Sequence, residues 1–222
     1  MTGFIGSLTL PVPTIVPLGD SALLVRFGVT LDDAANQATI SLTRALDLEP
    51  LAGVLETVPS LVSVLLRYDP LVISGSMLAG ELRLRLYGLQ EIAVDPVTWQ
   101  IDAVFDGPDL AEVAQAVGLS ENAFIAAHNS TRLRVLATGF APGFVYCGLH
   151  SKDLVVPRRK SVRPPVPVGS ILFAAGQTAI TATEMPTGWH VIGRTSFLNF
   201  DPTSERPTRL SAGDIVQFGI AQ

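Results

Sequence analysis

Apolar and polar positions change rhythm once along the chain, near residue 93, and the two rhythms predict two architectures. After an irregular, proline-cut start, "GDSALLVRFG" sets the turn formers Asp20 and Ser21 before an apolar strand, Ala22 to Phe27. In "LDDAANQATISLTRALDLEP" the apolar Ala35, Ala38, Leu42, Ala45 and Leu46 recur at intervals of three, four, three and one, which is helical spacing. Asp32 can cap that helix and Pro50 stops it. "GVLETVPSLVSVLLRYDP" supplies two short strands divided by Pro59, the second over 61–68 and ended by Asp69 and Pro70. "LAGELRLRLYGL" fits a strand face through Leu82, Leu84 and Leu86 and a helix face through Leu78, Leu82 and Leu86. Its glutamate, arginines and leucines favour the helix. Strand, helix, two strands and helix make a small α/β sandwich domain over residues 1–92.

From residue 93 the pattern predicts a second domain, 93–222. "VTWQIDAVFDG" alternates cleanly, with Val97, Trp99, Ile101, Ala103 and Phe105 on one side of a strand. "DLAEVAQAVGLSENAFIAAH" reads as two short helices around Gly118, the second capped by Ser120. After Thr131 come short β-branched runs cut by glycine and proline: "RLRVLATG", "LVVPRR", "VPVGSILFAAGQTAI", "WHVIGRT", "SFLNFDP" and "AGDIVQFG". Turn signals about every ten residues predict an antiparallel sandwich or barrel, so the chain as a whole is α+β.

Composition narrows the function classes. A formal net charge of −5 gives no footprint for nucleic acid or anionic lipid, and the helix pair around Gly118 lacks arginine or lysine in "SENAFIAAH" to reach phosphates or bases. Two charge-free segments, Met1 to Gly19 and Pro164 to Thr183, approach membrane-spanning length, but Pro11, Pro13 and Pro17 cut the first and Pro164, Pro165 and Pro167 the second. The expectation is a soluble cytoplasmic protein without nucleic-acid or membrane partners. A single cysteine excludes an intramolecular disulfide, and three widely spaced histidines form no recognisable metal-ligand cluster.

Candidate chemistry concentrates in the second half. In "GFAPGFVYCG" Cys147 would need a lowered pKa and a positioned base, for which His150 stands three residues on; a buried small hydrophobe is the commoner role of such a thiol. No P-loop and no G-x-S-x-G elbow is present. Arg158, Arg159 and Arg163 in "PRRKSVRPP" are planar donors suited to carboxylate or phosphate. Gln177 and Thr178 in "GQT" offer an amide and a hydroxyl, and "EMPTGWHVIGRT" adds Glu184, Trp189, His190 and Arg194. On one strand Trp189 and His190 would face opposite sides.

The segments "GDSALLVRFG", "VPSLVSVLLRYDP", "FDGPDLAEVA", "GFAPGFVYCG", "VPRR", "VPVGSILFAAGQT", "GWHVIGRT" and "AGDIVQF" resemble, in order and spacing, the KipI family, also described as allophanate hydrolase subunit 1, the 5-oxoprolinase B subunit and carboxyltransferase domain subdomains C and D. The resemblance implies a cyclophilin-like β-barrel after the α/β domain. It also implies pairing with a KipA-like protein (allophanate hydrolase subunit 2) and a third 5-oxoprolinase subunit, in a complex that uses ATP to open a small lactam or amide, with 5-oxoproline going to glutamate. In that setting Arg158, Arg194, Glu184 and His190 are the catalytic candidates. Phe140, Pro142, Gly143, Phe144, Tyr146, Arg163, Gln177, Thr178 and Trp189 are the substrate-binding candidates, and no metal is expected. The alternative that the resemblance carries is a regulatory protein that inhibits a sensor histidine kinase. One stretch departs from the family: "GQTAITATEMPTGW" stands where members continue "GQTGIYP.ESPGGW".

Overall fold

Asp32 does cap the first helix: its carboxylate accepts from the Ala35 amide at 2.9 Å, and α1 runs Asp33–Leu48. The computed structural model describes residues 10–89 and 96–221 and divides into two units, Met1–Asp95 and Pro96–Gln222. The boundary expected at 92/93 lies outside the described residues, as does the first half of the charge-free N-terminal segment. Among the described residues no helix is long and apolar enough to cross a membrane.

In the first unit β1 (Thr14–Leu18), β2 (Ala22–Arg26), β3 (Val54–Pro59) and β4 (Ser63–Tyr68) form an antiparallel sheet in the order β1-β2-β4-β3. Leu23, Val25, Val64, Leu66 and Tyr68 turn from its central strands toward Ala35, Ala38 and Leu42 of α1 and Leu78 and Leu82 of α2 (Gly75–Tyr87) to make one core. The "LAGELRLRLYGL" segment is therefore helical, capped by Ser74, whose hydroxyl accepts from the Met77 amide. The strand β1 corrects the expectation of an irregular start. Pro17 is tolerated there because β1 is an edge strand, where the missing N–H leaves no inner ladder broken.

The second unit is a strongly curled seven-stranded sheet. It comprises β5 (Thr98–Ala103), β6 (Leu133–Thr138), β7 (Val145–Gly148), β9 (Ser170–Ala174), β10 (Gln177–Ile180), β12 (His190–Arg194) and β13 (Ile215–Ile220), in the order β12-β9-β10-β7-β6-β13-β5. All pairs are antiparallel except β13 with β5, which is parallel and so refines the wholly antiparallel expectation. Its two edges meet where Val104, just beyond β5, exchanges backbone hydrogen bonds of 2.8 and 2.9 Å with Arg194. Gly193 permits this seam, because a Cβ there would strike the Val104 carbonyl oxygen.

Helices α3 (Leu110–Ala116) and α4 (Glu121–Ser130) cover the inner face, Phe124 meeting Phe173 edge-on at 5.3 Å. A two-stranded ribbon, β8 (Arg163–Val166) with β11 (Met185–Thr187), brings Val166 and Met185 onto the outer face. Two further expectations are corrected. "LVVPRR" is no strand but a strap over residues 154–160, and "SFLNFDP" contributes only an isolated bridge, Phe200 with Thr208.

Candidate functional site

Register sorts the candidate side chains onto two faces. Val135, Cys147, Thr178, Phe173 and His190 are successive cross-strand partners on β6, β7, β10, β9 and β12, and they form one inward row. The neighbouring row, Ala137, Tyr146, Ala179, Leu172 and Val191, faces outward. Trp189 belongs to the outer apolar cluster while His190 lies on the inner row, so the opposite facing expected of the two holds.

The inner face is sealed. Cys147 has no exposed surface, and burial pushes its thiol up to about 12, far from a nucleophile's range. Beside it the Thr178 hydroxyl lies 2.8 Å from Nε2 of both His128 and His150. Asn129 Oδ1 accepts from His128 Nδ1 at 2.7 Å, which leaves His128 Nε2 to accept the Thr178 proton and His150 Nε2 to donate to the Thr178 oxygen. His150 Nδ1 is then a buried lone pair with no hydrogen-bond partner. Burial holds His128 down to about 4, against the opposing bond from Asn129, and burial together with the nearby His128 holds His150 down to about 3. Both rings are thus neutral at physiological pH.

The outer face carries an aromatic wall. Ring centroids run Phe140 to Phe144 at 5.8 Å, Phe144 to Tyr146 at 4.9 Å and Tyr146 to Trp189 at 5.9 Å. Phe140 is 80% exposed at the lip with φ of 80°, and Pro142 is exposed beside it. Gly143, at φ 68°, is buried where a Cβ would come within 2.7 Å of Ala182 and 2.5 Å of Phe200. The Arg158 guanidinium lies over the Trp189 ring, 5.4 Å from its centroid. Gln177 leaves β10 two residues before Ala179 on the same outer face, buried, with its Oε1 unpaired. In the departing stretch, Ala179 and Met185 fill this cluster, Thr181 Oγ1 accepts from the Ser170 amide at 2.9 Å, and Thr187 Oγ1 accepts from the Trp189 amide at 3.0 Å.

The strap that carries Arg158 is fastened on both sides. The Ala175 amide donates to the Val156 carbonyl at 2.6 Å, His190 Nε2 to the Pro157 carbonyl at 3.0 Å, and the Arg159 amide to the Gly188 carbonyl at 2.8 Å. Asp109, only 3% exposed, accepts from Arg159 Nη1 at 2.9 Å, from Arg163 Nη2, and from the Val191 amide at 2.7 Å. One buried carboxylate so ties strap, ribbon and β12 together.

The structure therefore gathers Phe140, Phe144, Tyr146, Trp189 and Arg158 on one wall, with Gln177 on the same face. It turns Thr178 and His190 inward and engages Arg163 with Asp109. Arg194 is paired with Asp106 at 2.9 Å near the sheet seam, and Glu184 is exposed on the loop before β11. Asp109 escaped the sequence reading, and His128 entered it only as one of three widely spaced histidines. The four-residue spacing of Phe124 and His128 on one helix face was the available signal for the latter.

Known proteins resemble this chain in sequence and in fold. The model of the family described as carboxyltransferase domain, subdomain C and D, matches residues 13–210. The chain is 33% identical to the 5-oxoprolinase B subunit of Bacillus subtilis over 218 residues, which cover 92% of this chain and 91% of that protein. The crystal structure of TTHA0988 superposes with a TM-score of 0.80 at 35% identity, covering 91% of this chain but 40% of that longer one. Urea amidolyase of K. lactis shares the fold, with a TM-score of 0.77 at 17% identity over 95% of this chain and 15% of the amidolyase. The chain is thus a homologue of the 5-oxoprolinase B subunit and belongs to the carboxyltransferase domain subdomain C and D family.

Proposed function

We propose that this chain is the B-type subunit of a heteromeric, ATP-dependent 5-oxoprolinase, acting with a KipA-like subunit and a third subunit to open 5-oxoproline to glutamate. The observation that carries the reading is the character of the outer face, combined with the near full-length likeness to the 5-oxoprolinase B subunit. That face offers an aromatic wall, a guanidinium and an amide, which bind and orient, whereas the one thiol is sealed inside and raised to about 12. Such a surface supports one side of a shared site, and partner subunits complete it.

Opening a lactam requires charge to build on the amide oxygen, and prepositioned donors lower that barrier. Arg158 is the strap's outward donor in this reading. Arg163 and His190 act through it, the first by anchoring to Asp109 and the second by holding Pro157. Gln177 is the polar group on the same face; Glu184 and Arg194 lie where a partner subunit would have to bring them into play. Among the described residues no group of three or more His, Cys, Asp or Glu side chains is placed to hold a metal ion. ATP is assigned to the complex, and no step on this chain runs through it.

The test is glutamate formation from 5-oxoproline and ATP by the assembled subunits, leaving out each in turn. Activity lost on omission of this chain supports the reading; a stable complex that turns over without it, or never acts on 5-oxoproline, removes it.

A further inference from the structure

The strap and the ribbon strand after it hold three arginines, Arg158, Arg159 and Arg163, and their charges are not equivalent. Arg159 and Arg163 are both committed to Asp109, with Glu112 a further 3.7 Å partner of Arg159. Arg158 makes no ion pair among the described residues; its guanidinium lies over Trp189 while its backbone neighbours are pinned through Pro157 and Arg159. A guanidinium held over an aromatic face by cation–π attraction keeps N–H groups free of ion-pair partners, and such a fork of donors can receive a carboxylate. The Tyr146 ring stands 5.9 Å from that of Trp189, and its hydroxyl has no hydrogen-bond partner among the described residues. Burial raises the Tyr146 pKa and the positive charge of Arg158 opposes the rise, so the phenol remains a proton donor at neutral pH close to that guanidinium.

We infer that Arg158, held over Trp189 and assisted by the Tyr146 hydroxyl, forms a clamp for the carboxylate of a small cyclic amide, with the ring of the ligand against the aromatic wall. The inference rests on the 5-oxoprolinase reading and deepens it: this chain holds the carboxylate end of the substrate and leaves the lactam carbonyl to the rest of the complex. Charge selects a carboxylate over a phosphate. One guanidinium without an ion pair and one phenol match a planar monoanion with two oxygens, whereas a phosphate dianion calls on further cations, and the two neighbouring arginines are already engaged by Asp109. The preorganisation has an identifiable source in the three strap bonds, which fix the backbone on either side of Arg158 and so reduce the ordering cost of binding.

The test is calorimetric titration of the assembled complex with 5-oxoproline, with 2-pyrrolidinone, which lacks the carboxylate, and with inorganic phosphate as competitor. The expected result is a preference for 5-oxoproline over 2-pyrrolidinone of roughly 10- to 100-fold, the scale of a charge-assisted hydrogen bond. Arg158→Met should bring that ratio close to one while 2-pyrrolidinone binding stays within about twofold of the unmutated complex, and Arg158→Lys should restore part of the preference. Preference that survives Arg158→Met, phosphate that displaces 5-oxoproline at equal concentration, or absence of 5-oxoproline binding overturns the clamp. Turnover on the same preparations separates the two readings. A complex that shows the Arg158-dependent preference but forms no glutamate retains the clamp and loses the reaction.

Discussion

At the scale of single residues, burial decides what each titratable group does. The two histidines joined through Thr178 are neutral because the interior penalises their charged forms, and His150 Nδ1 has no partner that could receive an added proton's hydrogen bond. An unfolded histidine titrates near 6.5, while His128 in the folded chain titrates at about 4 and His150 at about 3. The unfolded chain therefore binds more protons as pH falls below 6.5, and stability present above that value is lost progressively until the folded values are reached. At about 1.4 kcal/mol per unit, the fall from 6.5 to about 4 at His128 alone withdraws roughly 3 kcal/mol. The urea midpoint should accordingly drop between pH 7 and pH 4, and His150→Leu should flatten that slope. An unchanged slope in the variant would show that the buried pair is not the source. Thr178 illustrates the limit of reading such residues from sequence. "GQT" announces an amide and a hydroxyl side by side, but only strand register, with a bulge in β6, decides that one faces out and the other in.

At the scale of elements, the seam of the curled sheet turns on one side chain that is missing. A Cβ on Gly193 would meet the Val104 carbonyl oxygen, and the pair Val104 and Arg194 next to it supplies a β-bridge between the two edges of the sheet. Gly193→Ala should lower the unfolding midpoint by an amount corresponding to about 1–3 kcal/mol, the usual cost of forcing a methyl group into closed packing. A thermal midpoint equal to that of the unsubstituted chain would mean that the seam yields without cost. Elements built from local signals are legible in the sequence: α1 has its period and its Asp32 cap, and α4 its Ser120. Elements held by distant partners are not. The 154–160 strap contains β-branched residues that read as a strand, yet its hydrogen bonds go to Ala175, Gly188 and His190. The ribbon strand "RPPV" reads as a breaker because its prolines hide an extended pairing with Met185 and Thr187. The aromatic wall was legible because three of its rings fall within "GFAPGFVYCG", whereas the strap that carries its arginine is tied through Arg159 to Asp109, about fifty residues earlier in the chain.

At the scale of the molecule, the two units keep separate cores, and the candidate groups all belong to the second. The core of that unit gathers residues from β5 through β13, its edges are joined to each other, and Asp109 ties strap, ribbon and β12 from within the same unit. The contacts described above that order the wall therefore all lie within the second unit. Both tryptophans of the chain report on this unit: Trp99 donates to Asp214 at 3.1 Å and meets Phe197 edge-on, while Trp189 lies under Arg158. A fragment comprising residues 96–222 should fold alone, with sharp near-ultraviolet dichroism from both indoles and a single cooperative denaturant transition. The indole dichroism carries the weight of this prediction, because a loosely collapsed fragment would keep its backbone signal and lose the fixed ring environments. A fragment with strand content but featureless aromatic dichroism would mean that the wall, and with it the posture of Arg158, is imposed from outside the unit.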